Sequence, residues 1–296
     1  MRVFITGATG FIGSAAVREL VGAGHQVLGM ARSDAGAQSL IAAGAEAHRG
    51  SLEDLESLKS GAAAADGVIH LGFIHDFAKF RENCEVDKRA IEVLGEALAG
   101  TNRPLIVAAG LGGLTAHGQV ATEDNVPPPD FLLPRVSEQA AMALLGKGVS
   151  SAVMRLPQVH NTVKQGLVTY AIAVARQKGV SAYVGDGQSR WAAAHVLDVA
   201  RLYRLALEKH EPGARYHAVA EEGVRLRDIA EAIGRGLKIP VASISAEEAP
   251  AHFGWMGAFV THGIPASSAI TRTKLGWNPM GPSLLSDLGN MNYSAV

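Results

Sequence analysis

Along the first 160 residues, short apolar runs alternate with amphipathic stretches that end in glycine. Arg2–Ile5 is an apolar run bounded by turn-formers, the pattern of a buried strand. Ser14–Val21 reads as a helix that stops near Gly22 and Gly24. Gln26–Met30 is a second strand, and Leu40–Ala43 lies in a helix before Gly44. Ser51 is placed to cap a short helix over Leu52–Lys59, with Asp54 completing a capping box. Gly67–Leu71 reads as another buried strand, and Asp87–Ala99 as a helix with Ile91, Leu94 and Leu98 on one face. Pro104–Gly110 is a further strand. Residues 112–134, which include three consecutive prolines, form a loop, followed by a helix over Ser137–Leu145 and a strand over Ser150–Leu156. This alternation predicts an α/β fold, a parallel sheet with helices on both faces.

Beyond residue 160 the pattern changes. Gln165–Gln177, Val196–Leu207 and Arg225–Leu237 read as helices and Arg215–Val219 as a last strand, while the chain from Glu247 onward reads as irregular. The predicted division is a nucleotide-binding domain over 1–160 and a smaller substrate lobe over 161–296, with residues 190–220 or so returning to the first domain.

The first strand and helix are joined by Gly7, Gly10 and Gly13 at the spacing G-x-x-G-x-x-G. Strand, glycine turn and helix together make a pyrophosphate site. The glycines let the backbone turn tightly and approach the phosphates, and the open N–H groups of the helix favour negative charge. A fold of this kind that selects NAD carries an acid at the end of the second strand for the ribose 2′-OH. Here that end reads Met30-Ala31-Arg32-Ser33, with no acid before Asp34. Arg32 can pair with a 2′-phosphate and Ser33 can donate a hydrogen bond to it. The expected cofactor is NADP(H) in preference to NAD(H).

Composition narrows the partners. With 27 basic and 28 acidic residues the net charge is −1, which gives no reason to expect nucleic acid or a membrane surface. Cys84 is the single cysteine, so no intrachain disulfide forms and a reducing cytoplasm fits. No apolar run reaches the span of a bilayer, and the N-terminus lacks a signal-peptide pattern. The histidines lack metal-ligand spacing, so no metal is expected.

The spelling Thr6-Gly7-Ala8-Thr9-Gly10-Phe11-Ile12-Gly13 resembles the extended and atypical branches of the short-chain dehydrogenase/reductase superfamily, the NAD(P)-dependent epimerase/dehydratase relatives. The resemblance implies a Rossmann-type, doubly wound sheet with a smaller C-terminal substrate lobe. It implies that Gly7, Thr9, Gly10, Phe11, Ile12 and Gly13 meet the dinucleotide. Leu71 and Gly72 would cover its ribose and pyrophosphate, Ser51 and Leu52 its adenine. Pro157 belongs to a stretch, Arg155–Val159, that passes the nicotinamide. The block from Gly185 to Ala200 is similar to one in which an arginine binds substrate, here Arg190 beside Trp191. The helices over 87–99 and 137–145 are those that form a homodimer bundle in many relatives.

Active members of that superfamily carry Tyr-x-x-x-Lys and a Ser or Thr. The lysine lowers the tyrosine pKa and the hydroxyl holds the substrate oxygen. None of Tyr170, Tyr183, Tyr203, Tyr216 and Tyr293 has a lysine four residues later. Pro134-Arg135-Val136-Ser137-Glu138 stands in the motif's place, and Ala108-Ala109-Gly110 where the hydroxyl residue is expected. His160, and the pair His75 and Asp76, are the candidate replacements for proton transfer. The expectation is an NADP(H)-dependent oxidoreductase of a small carbonyl or alcohol. A non-catalytic NADP(H) sensor, and an epimerase or dehydratase with retained cofactor, stay open as alternatives.

Overall fold

The computed structural model describes residues 1–116, 118–128 and 135–295. Its first part runs β1 (Arg2–Thr6), α1 (Phe11–Gly22), β2 (Gln26–Ala31), α2 (Asp34–Ala42), β3 (Glu46–Arg49), α3 (Leu55–Ala63), β4 (Gly67–His70), α4 (Phe80–Leu98), β5 (Pro104–Gly110), α5 (Ser137–Ala143) and β6 (Ser150–Leu156). The second part runs β7 (Gln158–His160), α6 (Leu167–Lys178), β8 (Ser181–Val184), β9 (Arg190–His195), α7 (Val196–Glu208), β10 (Arg215–His217), β11 (Glu221–Arg225) and α8 (Leu226–Leu237). It ends with β12 (Val241–Ile244), α9 (Ala249–Phe253), α10 (Gly257–His262), α11 (Ala269–Leu275) and α12 (Leu284–Asn290).

Seven strands form a parallel sheet in the order β10-β6-β5-β4-β1-β2-β3. The order reverses between β1 and β4, so their C-terminal turns splay apart and open a crevice, the place where ligands bind in open α/β sheets. Apolar side chains cover both faces. Val3, Ile5 and Ile69 pack under α1 and α7, while Phe4, Val68 and Leu105 pack under α3, α4 and α5. The returning segment α7–β10 supplies the last helix and strand of this assembly. A second core lies between α6, α8, α9, α10 and α12, beside a three-stranded sheet β11-β9-β7 and a parallel pair β12-β8.

Several boundaries differ from the sequence reading. The helix expected over 52–59 starts at Leu55, because Asp54 is its cap and accepts the Ser57 N–H at 3.2 Å. Ser51 instead closes the turn before it, accepting from the N–H groups of Glu53 and Asp54. Helix α4 begins at Phe80, seven residues earlier than expected, after a single 3₁₀ turn capped by Asp76. The region beyond Glu247 is not irregular. It holds four short helices separated by glycines with positive φ, Gly254, Gly263 and Gly276, and those breaks mask the helical period. Among the described residues, no helix is long and apolar enough to cross a membrane.

Candidate active site

The glycine turn is built by contact. Gly7 has φ +66°, and a Cβ there would lie 2.8 Å from the backbone nitrogen of Gly72. A Cβ on Gly13 would lie 2.0 Å from the Gly7 carbonyl oxygen, so α1 sits flush on the turn only because residue 13 has no side chain. Gly10 donates its N–H to Gly7 O at 2.9 Å and forms the N-cap of α1 with no side-chain acceptor and no acid in the first turn. The start of α1 therefore keeps its positive end open at the crevice. Across from it, Gly72 donates its N–H to Thr6 Oγ1 at 3.1 Å, and Leu52 closes over Gly72.

Beyond the ends of β2 and β3 lies an open cleft of about 350 Å³, lined by Arg32, Arg49, Gly50, Ser51 and Asp54. Parallel pairing places Arg49 opposite Ala31, so two arginines leave adjacent strand ends together. The sequence reading found Arg32 and missed Arg49. The missing signal was the register of β3, which only the sheet reveals. Asp34 is 98% exposed and lies 3.4 Å from Arg49. Ser33 Oγ accepts the Gly36 N–H at 3.1 Å as cap of α2, which leaves its hydroxyl hydrogen available to a ligand.

A buried chain of hydrogen bonds runs from the crevice to the start of α5. Thr6 Oγ1 accepts from Gly72, so its hydrogen goes to His70 Nδ1 at 2.8 Å. His70 then donates from Nε2 to Asp87 Oδ1 at 3.1 Å. Ser137 Oγ donates to Asp87 Oδ2 at 2.5 Å and accepts from Arg135 Nε at 2.9 Å. Burial pushes the Asp87 carboxyl up. The hydrogen bonds of His70 and Ser137 and the charge of Arg135 outweigh it and hold the group below the usual carboxylate range. Arg135 lies with its guanidinium carbon 4.2 Å from the centroid of the Phe73 ring, whose edge meets His75 at 5.2 Å. Desolvation, then the charges of Arg135 and Lys164, lower the His75 pKa.

The sequence model described as NAD dependent epimerase/dehydratase family matches residues 3–94. An uncharacterized protein of Schizosaccharomyces pombe is 46% identical over 294 residues, 99% of this chain and 100% of its own. The chain belongs to the NAD dependent epimerase/dehydratase family. It is also similar to the 4-hydroxy-2-methyl-3-oxo-4-farnesyl-3,4-dihydroquinoline-1-oxide ketoreductase of Stigmatella aurantiaca, 26% identical over 279 residues, 86% of this chain and 80% of that one. Its fold matches the UDP-glucose 4-epimerase of Thermus thermophilus in complex with NAD, with a TM-score of 0.75, 19% identity and 99% of each chain covered.

Within this epimerase/dehydratase framework, the structure reassigns several expected site residues. His160 is fully buried on β7, away from any opening, with Nδ1 2.7 Å from Asp287 Oδ2 on α12. The ring has no exposed surface, so the structure does not bring His160 to the glycine-turn crevice as the sequence reading expected. The cause is that β7 leaves the large sheet and pairs with β9 instead. The Asp76 carboxylate accepts the Ala78 N–H at 3.0 Å as a helix cap. Trp191 is 1% exposed, donates Nε1 to Phe259 O at 3.0 Å and packs in the second core, where it lines a small cavity of about 20 Å³ with Leu226, Ile229 and Phe253 rather than the crevice. Arg190 is exposed and donates to Gly223 O at 3.1 Å along β11. His195 caps α7, and Asp198 holds the backbone of Met280 and Gly281. His75 stands at the exposed end of the crevice loop and keeps its candidacy.

In place of the family's motif lysine, Glu138 is buried and binds Arg155 through two bonds of 2.8 and 2.6 Å and Arg215 through a third at 2.7 Å. Arg155 is fully buried and also donates to Asn125 O, which ties down the segment before the triple proline. It donates to His217 Nε2 at 3.0 Å, while His217 Nδ1 donates to Ser267 O. Burial, then the Arg155 charge, push the His217 pKa down to about 4. An unfolded histidine titrates near ~6.5, so between that pH and about 4 the unfolded chain binds more protons than the native one. The His217 contribution to stability is thus complete above pH ~6.5 and falls as the pH drops. Denaturant unfolding at stepped pH is expected to show this loss, with a shallower slope in His217→Gln; equal slopes would refute the assignment.

Proposed function

We propose that this protein is an NADP(H)-dependent oxidoreductase acting on a small carbonyl or alcohol. The observation that carries the reading is the Arg32–Arg49 cleft beyond the glycine turn, where the two nearby acids are already engaged: Asp34 is exposed and paired with Arg49, and Asp54 accepts the Ser57 N–H as cap of α3. A 2′-phosphate is a dianion with acceptor oxygens on several sides, and two guanidinium groups from adjacent strands match it in charge and in donors. The glycine cradle fits the pyrophosphate for the same reason that it excludes Cβ atoms: the backbone itself is the binding surface.

When bound, the nicotinamide supplies or accepts the hydride. The chain's residues do the rest. Gly7, Gly10 and Gly13 bring backbone N–H groups to the phosphates, helped by Thr9, Phe11 and Ile12 at the mouth of α1. Ser33 and Ser51 donate hydroxyl hydrogens around the ribose, and Leu52, Leu71, Gly72 and Pro157 flank the dinucleotide. His75 handles the proton. Its lowered pKa favours the neutral imidazole, which takes a proton from an alcohol in oxidation; in reduction the ring first takes a proton from solvent and then passes it to the carbonyl oxygen. The ketoreductase relative supports carbonyl chemistry on this framework.

A non-catalytic NADP(H) sensor is the second reading, favoured by Glu138 where the motif lysine belongs and by alanines at the usual hydroxyl position. A carbonyl screen with NADPH separates the readings. The expected result is hydroxyl product formed one-for-one with NADPH consumed. Product without net consumption points to an epimerase or dehydratase, and tight NADPH binding with no product across the screen points to a sensor.

A further inference from the structure

The site has lost the phenol and hydroxyl that hold the substrate oxygen in the superfamily it resembles, yet a different donor stands at the same strand ends. Arg135 is fixed on three sides. Its Nε donates to Ser137 Oγ at 2.9 Å in the first turn of α5, its Nη2 donates to Ala108 O at 3.3 Å near the end of β5, and its plane covers Phe73 at 4.2 Å. The nearest carboxylate, Asp87, lies 3.9 Å from Nε and is already bonded to His70 and Ser137. Among the described residues Nη1 has no hydrogen-bond partner, and the side chain is 27% exposed. A cation held through Nε and Nη2, with the Nη1 edge left open, is a preorganised electrostatic group rather than a solvated surface arginine.

We propose that Arg135 is a catalytic residue of this site: its open Nη1 edge grips the reacting oxygen of an oxo acid beside His75, which meets the same Phe73 ring. The proposal rests on the oxidoreductase reading above. In reduction, the carbonyl carbon accepts a hydride from bound NADPH, which leaves as NADP+. The C=O π pair moves onto the oxygen held by Arg135, and that oxygen takes a proton from the His75 imidazolium. The product is a hydroxy acid, and one solvent proton restores His75. Arg135 stabilises the negative charge that develops on the oxygen, and the two hydrogens of Nη1 can meet the adjacent carbonyl and carboxylate oxygens of an oxo acid together. The Phe73 ring, covered by Arg135 at 4.2 Å and met by His75 at 5.2 Å, brings the two groups to one place.

The test is calorimetric titration with oxamate, a non-reducible oxo-acid mimic, on the protein with and without saturating NADP+, alongside acetamide as the uncharged control. The expected result is oxamate binding, no acetamide binding, a loss of at least tenfold in Arg135→Gln and a several-fold loss in Arg135→Lys, which keeps the charge without the planar fork. NADP+ affinity measured separately in each variant stays within about twofold of the wild type, which reports that the variant is folded; if Arg135→Gln fails that check, Arg135→Lys carries the comparison. Absence of oxamate binding to the wild type, or undiminished binding in the folded variants, overturns the proposal. NADP+ binding with either of those results leaves the oxidoreductase reading standing, whereas failure to bind NADP+ removes that reading itself.

Discussion

Gly13→Ala is expected to remove most of the dinucleotide affinity. The added Cβ would lie 2.0 Å from Gly7 O, 2.8 Å from Gly7 C and 2.9 Å from Ala8 Cα, all of them backbone atoms that cannot rotate away. The start of α1 must move off the turn by something like an ångström, and a misplacement of that size costs on the order of 10²-fold where several donors must converge. The same overpacking should lower stability by about 1–3 kcal/mol. Gly22→Ala at the far end of α1 is the matched control, because nothing lies within 4 Å of its Cβ position. There alanine should leave binding unchanged and add up to about 1 kcal/mol through helix propensity. Parallel NADPH titrations and thermal melts of the two variants check both halves; equal binding by the two would mean that the glycine turn does not hold the dinucleotide.

Glu138→Ala should be the most destabilising single change at the crevice. It leaves Arg155, which has no exposed surface, without its bidentate partner and beside Arg215. Stranding one member of a buried ion pair costs about 3–5 kcal/mol, which for a chain of this size corresponds to a fall in melting temperature of roughly 10 °C. Glu138→Lys, which restores the charge of the superfamily's motif, should be worse still, since it places a third cation among two. A melt within about 2 °C of the wild type for Glu138→Ala would contradict the role of this network. The replacement of the motif lysine is thus not a simple loss. The position has been converted into the anchor that holds Arg155, and through Asn125 O the loop beside the crevice.

The large sheet and its crevice were legible in the sequence because buried parallel strands read as continuous apolar runs, and the glycine spacing marks a backbone that must touch backbone at Gly7 and Gly13. Strands such as β7, β8 and β12, three or four residues long, carry too little pattern to be seen, and they decide where His160 points. That is why a histidine next to a stretch expected at the nicotinamide turned out to be a core residue paired with Asp287, 127 positions later. Arg49 and Arg135 were invisible for a related reason. An arginine becomes a site residue through the register of its strand or the partners of its guanidinium, and neither is written in local sequence. The chain Thr6–His70–Asp87–Ser137–Arg135 joins four separate segments of the molecule that only the fold aligns. The absence of Tyr-x-x-x-Lys, by contrast, was plain from spacing, and the family resemblance put the gap at 134–138, of which Pro134 lies outside the described residues.

The most direct measurement is calorimetric titration of the nucleotide-free wild type, Arg32→Ala and Arg49→Ala with NADPH, NADP+, NADH and NAD+. The expected result is tight wild-type binding of the two phosphorylated forms, weaker binding of the other two, and a selective loss for NADPH and NADP+ in both variants. Equal loss for all four nucleotides, a wild-type preference for NADH and NAD+, or no binding at all would contradict an NADP(H)-dependent site.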